Sequence, residues 1–293
     1  MTVLLTGASG QLGAYLLREL SERCHDIIAW SGSGSGQLEG VPLRPVNLVN
    51  SDHVAGAFRE SRASVVIHAA AMAGVADCYG AAERARRINT GGTAVLAELT
   101  ARSAARLVYV STDLVFDGER GGYRETDSPS PLSIYGRTKA EAEPAVLAAP
   151  RSVVVRVSLL FGPTRTGRPS FFDQQVAALR DGRRVNLFED EWRTPIAMTT
   201  AASALVTVAE SDYVGMLHLG GPERISRYDM GRRLATCLGA DSSLLVPTLR
   251  ASAPFAEPRP RDTSLNSSQW RELFPRQPWP DFESAIAGMS TRH

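Results

Sequence analysis

The sequence predicts an α/β protein built on a doubly wound parallel sheet, and three observations carry that reading. Short β-rich runs alternate with amphipathic helical patterns through the first half of the chain. Runs such as Ser64-Val65-Val66-Ile67-His68-Ala69 are apolar almost throughout, as strands are when helices cover both faces of their sheet. A glycine-rich turn, Gly7-Ala8-Ser9-Gly10-Gln11-Leu12-Gly13, separates the first run from the first helical pattern.

In order, residues 3–6 read as a strand and residues 11–22 as a helix with Leu12, Tyr15, Leu16 and Leu20 on one face. Residues 27–30 form a second strand, followed by a flexible low-complexity stretch, Ser31-Gly32-Ser33-Gly34-Ser35-Gly36. A short strand at 44–48, a helix at 51–59 and a strand at 64–69 follow. A long helix at about 81–101 leads to a strand at 107–111. Residues 118–131, rich in Gly, Asp, Ser and Pro, form a loop before a helix that carries Tyr135 and Lys139. Pro144 falls inside that helix and is expected to kink or shorten it. A strand at 152–157 follows, then helices at 171–181 and 199–210, a strand at 215–219 and a helix at 226–238. A proline-rich segment at 254–260 precedes a last helix at 267–273, and Trp270 and Trp279 are expected to pack these last elements onto the core. The chain therefore divides into a domain at 1–160 and a smaller α/β lobe at 161–293, interleaved with the last strands of the sheet.

Composition narrows the function classes. An apolar fraction of 43% and a charged fraction of 22% suit a globular chain with a large core. A net charge of +1 offers no field for nucleic acid or an anionic membrane. No apolar run approaches the roughly 20 residues that span a bilayer. The first residues lead straight into the glycine turn without a basic leader, and Cys24, Cys78 and Cys237 are odd in number and far apart. Both features point to a cytoplasmic protein with reduced thiols. The five histidines lack metal-ligand spacing, so no metal is expected.

The glycine turn has the form G-x-x-G-x-x-G after a strand and before a helix, the setting of a Rossmann-type dinucleotide site at residues 1–160. Such a site uses the turn and the helix N-terminus against pyrophosphate, which nominates Gly7, Ser9, Gly10, Gln11, Leu12 and Gly13. The second strand ends in Trp30-Ser31-Gly32 with no carboxylate until Glu39, so NADPH is expected, with NADH the alternative. Ser31 and Ser33 are candidate phosphate donors, with Arg44 approaching. Asn47 and Leu48 are placed beside the adenine, and Ala69, Ala70 and Ala71 along the cofactor.

Of the 32 basic residues, 31 are arginine and one, Lys139, is lysine. A lone lysine in such a chain marks a position where a guanidinium cannot replace an ammonium. Tyr135 lies one helical turn before it, on the same face. An ammonium and an oxidised nicotinamide beside a phenol lower its pKa toward useful acid–base chemistry. Thr112 stands at the end of the 107–111 strand, where a hydroxyl can hydrogen-bond a carbonyl under reduction.

These residues, with Asn89-Thr90-Gly91-Gly92-Thr93, Ser111-Thr112-Asp113-Leu114-Val115-Phe116-Asp117-Gly118, Pro131 to Lys139, Arg156-Val157-Ser158-Leu159-Leu160-Phe161-Gly162, Arg193-Thr194-Pro195 and Arg259-Pro260-Arg261-Asp262, resemble an extended short-chain dehydrogenase/reductase of the dTDP-4-dehydrorhamnose reductase branch. The resemblance spans about residues 2–275. It implies Tyr135 as proton donor, Lys139 as its electrostatic partner and a ribose ligand, and Thr112 on the carbonyl, with Asp113 nearby. It also implies a keto substrate on a nucleotide-linked deoxysugar and admits a homodimer. Leu114 and Leu159 stand where that family carries a tyrosine and a tryptophan facing the sugar, which leaves the sugar open. Arg193 and Arg259 are candidate ligands of a substrate diphosphate and Arg261 a weaker one. The segment at 254–260 is read as a loop over the substrate mouth. His68 reads as a core residue, Asp77 as a helix cap, and Asn89 as a cap or a pocket wall. The same branch includes the beta subunit of methionine adenosyltransferase, a regulatory NADP-binding protein, and residues 217–238 resemble it equally. A sugar-nucleotide epimerase or dehydratase is a further alternative.

Overall fold

The computed structural model describes residues 1–290. Its centre is an eight-stranded sheet that begins with β1 (Thr2–Thr6), β2 (Asp26–Ser31), β3 (Gly36–Leu38), β4 (Val41–Pro45), β5 (Val65–His68), β6 (Arg106–Thr112) and β7 (Ser152–Val157). Four short strands then lie outside it: β8 (Leu160–Phe161), β9 (Val185–Phe188), β10 (Trp192–Arg193) and β11 (Ile196–Ala197). The chain returns to the sheet with β12 (Gly215–Leu219). The spatial order is β12-β7-β6-β5-β1-β2-β4-β3, parallel except where β3 pairs antiparallel with β4 at the edge. The winding reverses between β1 and β5, the point at which such sheets open a crevice beyond the carboxyl ends of their strands. This is the doubly wound fold that the sequence predicts.

Consecutive residues of β1 face opposite cores, as a period of two requires. Val3 and Leu5 pack under α1 (Gln11–Glu22), whose Leu16 and Leu20 meet Ala201 and Leu205 of α8 (Met198–Glu210). Leu4 faces the other layer with Val66, Leu107 and Val154, beneath α2 (Ser51–Ser61), α5 (Gly92–Ser103) and α6 (Ile134–Leu147).

Several elements differ from expectation, among them the strand expected at 44–48, which runs over Val41–Pro45. A short helix, α3 (Val75–Gly80), precedes the helix expected at 81–101, which is broken into α4 (Ala82–Arg86), a π turn at Arg87–Gly91 and α5. The π turn carries Asn89, whose buried side chain reaches sideways to other elements, and such widened turns often accompany functional positions. The flexible stretch ends in a hairpin, because Glu39 and Gly40 both adopt positive φ (49° and 76°) and form a two-residue turn between β3 and β4. Helix α6 runs through Pro144 to Leu147, since only one turn remains to be completed beyond the proline.

Beyond the sheet, β9 pairs with β14 (Leu245–Thr248), β10 with β13 (Ile225–Ser226) and β11 with β8. With α7 (Phe171–Arg180) and α9 (Arg227–Leu238) they enclose a separate apolar cluster that includes Phe161, Phe172, Leu187 and Leu234. Trp270 of α10 (Ser268–Leu273) is buried in the main core, 6.3 Å from the Trp279 ring, as expected of that pair. A further helix, α11 (Phe282–Ser290), escaped sequence reasoning and seats Phe282 against Phe161 at 4.7 Å.

Candidate active site

The glycine turn lies at the carboxyl end of β1, at the switch point. A Cβ on Gly13 would stand 2.2 Å from the Gly7 carbonyl oxygen, so only glycine lets α1 begin against that strand. Helix α1 opens on Gly10 without a side-chain cap, which leaves its first N–H groups directed outward as an anion cradle. Ser9 is partly exposed in the turn, and Leu12 packs its side chain against the core. Gln11 differs from expectation: its amide donates to the Thr164 hydroxyl (2.9 Å) and the Arg168 carbonyl (2.5 Å), and so ties the loop after β8 to the helix start. Ser31 differs too. It is buried and its hydroxyl donates to the Gly34 carbonyl, closing the turn after β2 instead of facing a phosphate. Arg44 pairs with Glu60 at 2.7 Å. Asn47 accepts from the Val49 amide at 3.1 Å, and Leu48 packs under α5 at Gly92. Ala69, Ala70 and Ala71 line the chain leaving β5, where the Ala70 amide donates to the Thr6 hydroxyl at 3.2 Å.

His68 is a satisfied core residue. The Thr93 hydroxyl donates to the Asn89 carbonyl (2.6 Å), so it can only accept from His68 Nε2–H (2.9 Å). Nδ1 then accepts from the Thr6 hydroxyl at 2.6 Å. Burial, aided by Lys139, pulls the imidazole down to about 3, and it stays neutral. Asn89 proves to be a cross-link and not a cap. It holds the Met72 amide and carbonyl (2.8 and 3.1 Å) and the Thr138 hydroxyl (3.0 Å), which fixes the loop after β5 against α6. Asp77 sits in the first turn of α3 without a capping hydrogen bond, where its charge suits the helix N-terminus.

Helix α6 begins at Ser133, whose hydroxyl accepts from the Gly136 amide at 3.1 Å, and the first turn presents Tyr135. Lys139 is 1% exposed and holds Nζ 4.1 Å above the centre of the Tyr109 ring. Burial draws its ammonium down to about 7, against the attraction of Glu143 one turn further on. The Tyr135 phenol departs from the lowered pKa argued above. Burial pushes it above the ordinary tyrosine value, a hydrogen bond with Thr112 opposes this, and Asp113 and Cys78 add to the rise. The proton therefore stays on the oxygen, which suits a donor.

Thr112 ends β6 and accepts from the Leu114 amide at 3.2 Å. Asp113 is buried and fully engaged within the protein: Thr263 (3.0 Å), Ser158 (3.2 Å) and Thr112 (3.3 Å) donate to it, and Arg193 stands 3.6 Å away. It is thus a hub behind the site and not an open substrate ligand. Burial raises its carboxyl, against Arg193 and the three hydroxyls. Leu114 and Leu159 are both partly buried, the latter packed at the edge of the lobe's core.

The arginines form a chain of ion pairs leading away from this hub. Arg193 also pairs with Glu191 at 3.4 Å, and Arg259 grips Glu191 through two hydrogen bonds of 2.8 and 3.0 Å. Burial opposes ionisation of Glu191, but Arg193 and Arg259 prevail and hold its carboxyl below the usual range. Arg259 borders a cavity of about 380 Å³ lined also by Phe171, Arg183, Arg184, Phe188 and Arg227. Burial pulls Arg227 down to about 10, and Arg193 and Arg259 repel it further. Tyr135 does not line this cavity; the chain Arg259–Glu191–Arg193–Asp113–Thr112 connects the two. Arg261 points elsewhere, to the Glu119 carbonyl at 3.1 Å.

Sequence reasoning missed Arg183, Arg184, Arg227, Glu191, Glu143 and Arg156. Ser226 before Arg227 is a helix-start signal that could have placed that arginine at the first turn of α9, but nothing local marks it as lining a cavity. Among the described residues, no group of three or more His, Cys, Asp or Glu could hold a metal ion, and no helix is long and apolar enough to cross a membrane.

Comparison with known proteins places this geometry in a family. The model of the RmlD substrate binding domain matches residues 1–292. The chain is 31% identical to a dTDP-4-dehydrorhamnose reductase of Mycobacterium tuberculosis, over 97% of its own length and 91% of that protein's. It is 29% identical to the methionine adenosyltransferase 2 subunit beta of Rattus norvegicus, over 92% of this chain and 82% of that one. The crystal structure of a hypothetical dTDP-4-dehydrorhamnose reductase from Sulfolobus tokodaii superposes with a TM-score of 0.85 at 30% identity, covering 97% of this chain and 99% of that one. The chain belongs to the RmlD substrate-binding domain family, within the extended short-chain dehydrogenases/reductases.

Proposed function

We propose that this protein reduces a keto group on a nucleotide-linked deoxysugar with a nicotinamide cofactor, in the manner of a dTDP-4-dehydrorhamnose reductase. The observation that carries the reading is that Tyr135 hydrogen-bonds Thr112 at the end of β6, with Lys139 one turn further along α6, in a sheet whose switch point carries the glycine turn.

The uncapped start of α1 and the close approach at Gly13 fit a dinucleotide pyrophosphate, held by the backbone of residues 7–13, with Lys139 reaching the ribose. When bound, the reduced nicotinamide supplies the hydride. The chain's own groups do the rest. Thr112 turns its hydroxyl hydrogen from Asp113 to the substrate carbonyl oxygen, and Tyr135, protonated through burial, delivers its proton to that oxygen. Lys139 then stabilises the phenolate left behind. The cavity beside Arg259 and Arg227 has guanidinium forks and an aromatic wall, which suits the diphosphate and base of a sugar nucleotide. NADPH is favoured over NADH because β2 ends without a carboxylate, and the next one, Glu39, is paired with Arg165 at 3.0 Å.

The likeness to the methionine adenosyltransferase beta subunit supports a second reading, a nicotinamide-nucleotide-binding protein that works by association. A screen of nucleotide keto-sugars that follows NADPH loss separates the two. Stoichiometric oxidation of NADPH with dTDP-4-dehydrorhamnose or a close analogue supports the reductase. Tight NADP binding with no turnover on any ketone, together with a co-purifying partner, overturns it.

A further inference from the structure

Lys139 is the only lysine of the chain, and its ammonium is buried without an ordinary partner. Among the described residues it joins no ion pair. The carboxylate that attracts it, Glu143 one turn on, is already taken by Arg156 of β7 (2.7 and 3.0 Å) and by the Ser111 hydroxyl (2.7 Å). What the ammonium meets is an aromatic face. Nζ stands 4.1 Å from the centre of the Tyr109 ring, where the ring's negative face attracts a cation, most strongly when water is excluded. Tyr109 of β6 is fully buried, and its hydroxyl donates to the backbone carbonyl of Lys139 at 3.4 Å, so one side chain touches that residue at both ends. The ring is stacked on His68 of β5, its registered neighbour in the sheet, with centroids 5.5 Å apart. His68 is pinned by Thr6 and Thr93 and stays neutral, so it steadies the ring without setting a second positive charge behind it.

We propose that Tyr109 is a positioning residue, whose buried face seats the Lys139 ammonium and sustains its charge one turn from Tyr135. The seat stands on geometry alone; its effect on turnover rests on the reductase reading. Tyr109 acts through Lys139 and touches no reacting atom. Burial strips the ammonium of water and favours the neutral amine, which could not stabilise the Tyr135 phenolate. A carboxylate beneath the lysine would hold its charge more firmly, but would cancel the positive field that the phenolate needs. A neutral ring offsets part of the burial and leaves that field in place.

A single lysine makes the test selective, because protein grown with lysine carrying carbon-13 at Cε gives one side-chain signal that follows the ammonium through its titration. Tyr109→Phe is compared with mono-, di- and trifluorinated phenylalanine at the same position, a series that keeps the ring's shape and weakens its negative face. In ligand-free protein the Lys139 midpoint is expected to stay near the wild-type value in Tyr109→Phe. It is then expected to fall with each fluorine, by about one pH unit over the series. With NADPH and dTDP-4-dehydrorhamnose, on the alkaline side of that midpoint, kcat is expected to fall in the same order by about tenfold, with KM for the sugar and melting temperature unchanged. A midpoint that ignores fluorine number overturns the proposal, whatever happens to melting temperature, since Tyr109 then only packs the core. A midpoint that falls while kcat holds overturns the positioning role and leaves the reductase reading intact. A midpoint that falls in protein whose wild-type form oxidises no NADPH with any nucleotide keto-sugar keeps the seat and overturns the reductase reading.

Discussion

Among the described residues a buried glutamate held by an arginine fork occurs twice, and the two sites differ in what surrounds the pair. Beneath helix α6, Arg156 meets Glu143 at 2.7 and 3.0 Å, with both side chains under 5% exposed. Ser111 takes a further place on the carboxylate at 2.7 Å, His218 lies against the guanidinium at 3.4 Å, and Phe116 covers it. Nothing is left over for a ligand. In the smaller lobe Glu191 is as deeply buried, but it faces Arg259, Arg193 and Arg227 together, and Arg259 remains 36% exposed at the cavity. Three guanidinium groups share the two carboxylates Glu191 and Asp113, which leaves donors and one positive charge unmatched. A balanced pair is a structural part of the core; an unbalanced one is a place where an anion completes the charge.

The comparison can be broken most directly at the reaction centre that lies between the two pairs. Tyr135→Phe should lower kcat by about a hundredfold to ten-thousandfold while NADPH still binds, as read by rates and fluorescence titration. Near-normal turnover would detach α6 from the chemistry and reduce the Glu143 site to packing alone. Next in size, Glu143→Ala should cost about 3–5 kcal/mol of stability in urea titration, because Arg156 is left charged and buried. Arg259→Ala should behave oppositely. It should raise KM for the nucleotide sugar by about tenfold to a hundredfold with little change in melting temperature, since Arg193 still neutralises Glu191. Equal stability losses in the two variants would erase the distinction.

The last test is a pH dependence of stability, which reads the closed network. Burial pulls His218 down to about 3, with Arg156 adding to the shift, while an unfolded histidine titrates near 6.5. Above 6.5 both states are neutral and stability is unaffected. As pH falls from 6.5 toward 3 the unfolded chain takes up the proton first, so stability drops by about 1.4 kcal/mol per pH unit for this group. His68 behaves alike, so His218→Gln should flatten the acid limb of the stability curve without abolishing it. An unchanged slope would show that His218 does not lie in a closed site.

Much of the cofactor half was legible because its constraints are local. A turn that must approach a strand closely demands glycine, and Gly13 announces this without reference to any distant residue. Tyr135 and Lys139 were legible through a four-residue spacing on one helix. The hydroxyl of Ser31 was not, since its engagement with Gly34 depends on how the turn after β2 closes. Nor was the hub role of Asp113, which is met by Ser158, Arg193 and Thr263 from three later segments. The arginine site was the least legible. With 31 arginines in the chain, Arg193 and Arg259 were nominated through a family resemblance, and Arg227 was passed over.

By itself the sequence determined the alternation of strands and helices, the glycine cradle and the Tyr135–Lys139 pair. Each follows from periodicity or steric demand over a few neighbouring residues. Tertiary structure alone decided which charges are balanced, which protons are held and which ring lies beneath the lone ammonium. Those properties depend on burial and on groups brought together from distant parts of the chain. Lys139 drawn down by burial, Glu191 among three arginines and the Tyr109 ring under Nζ are all of that kind.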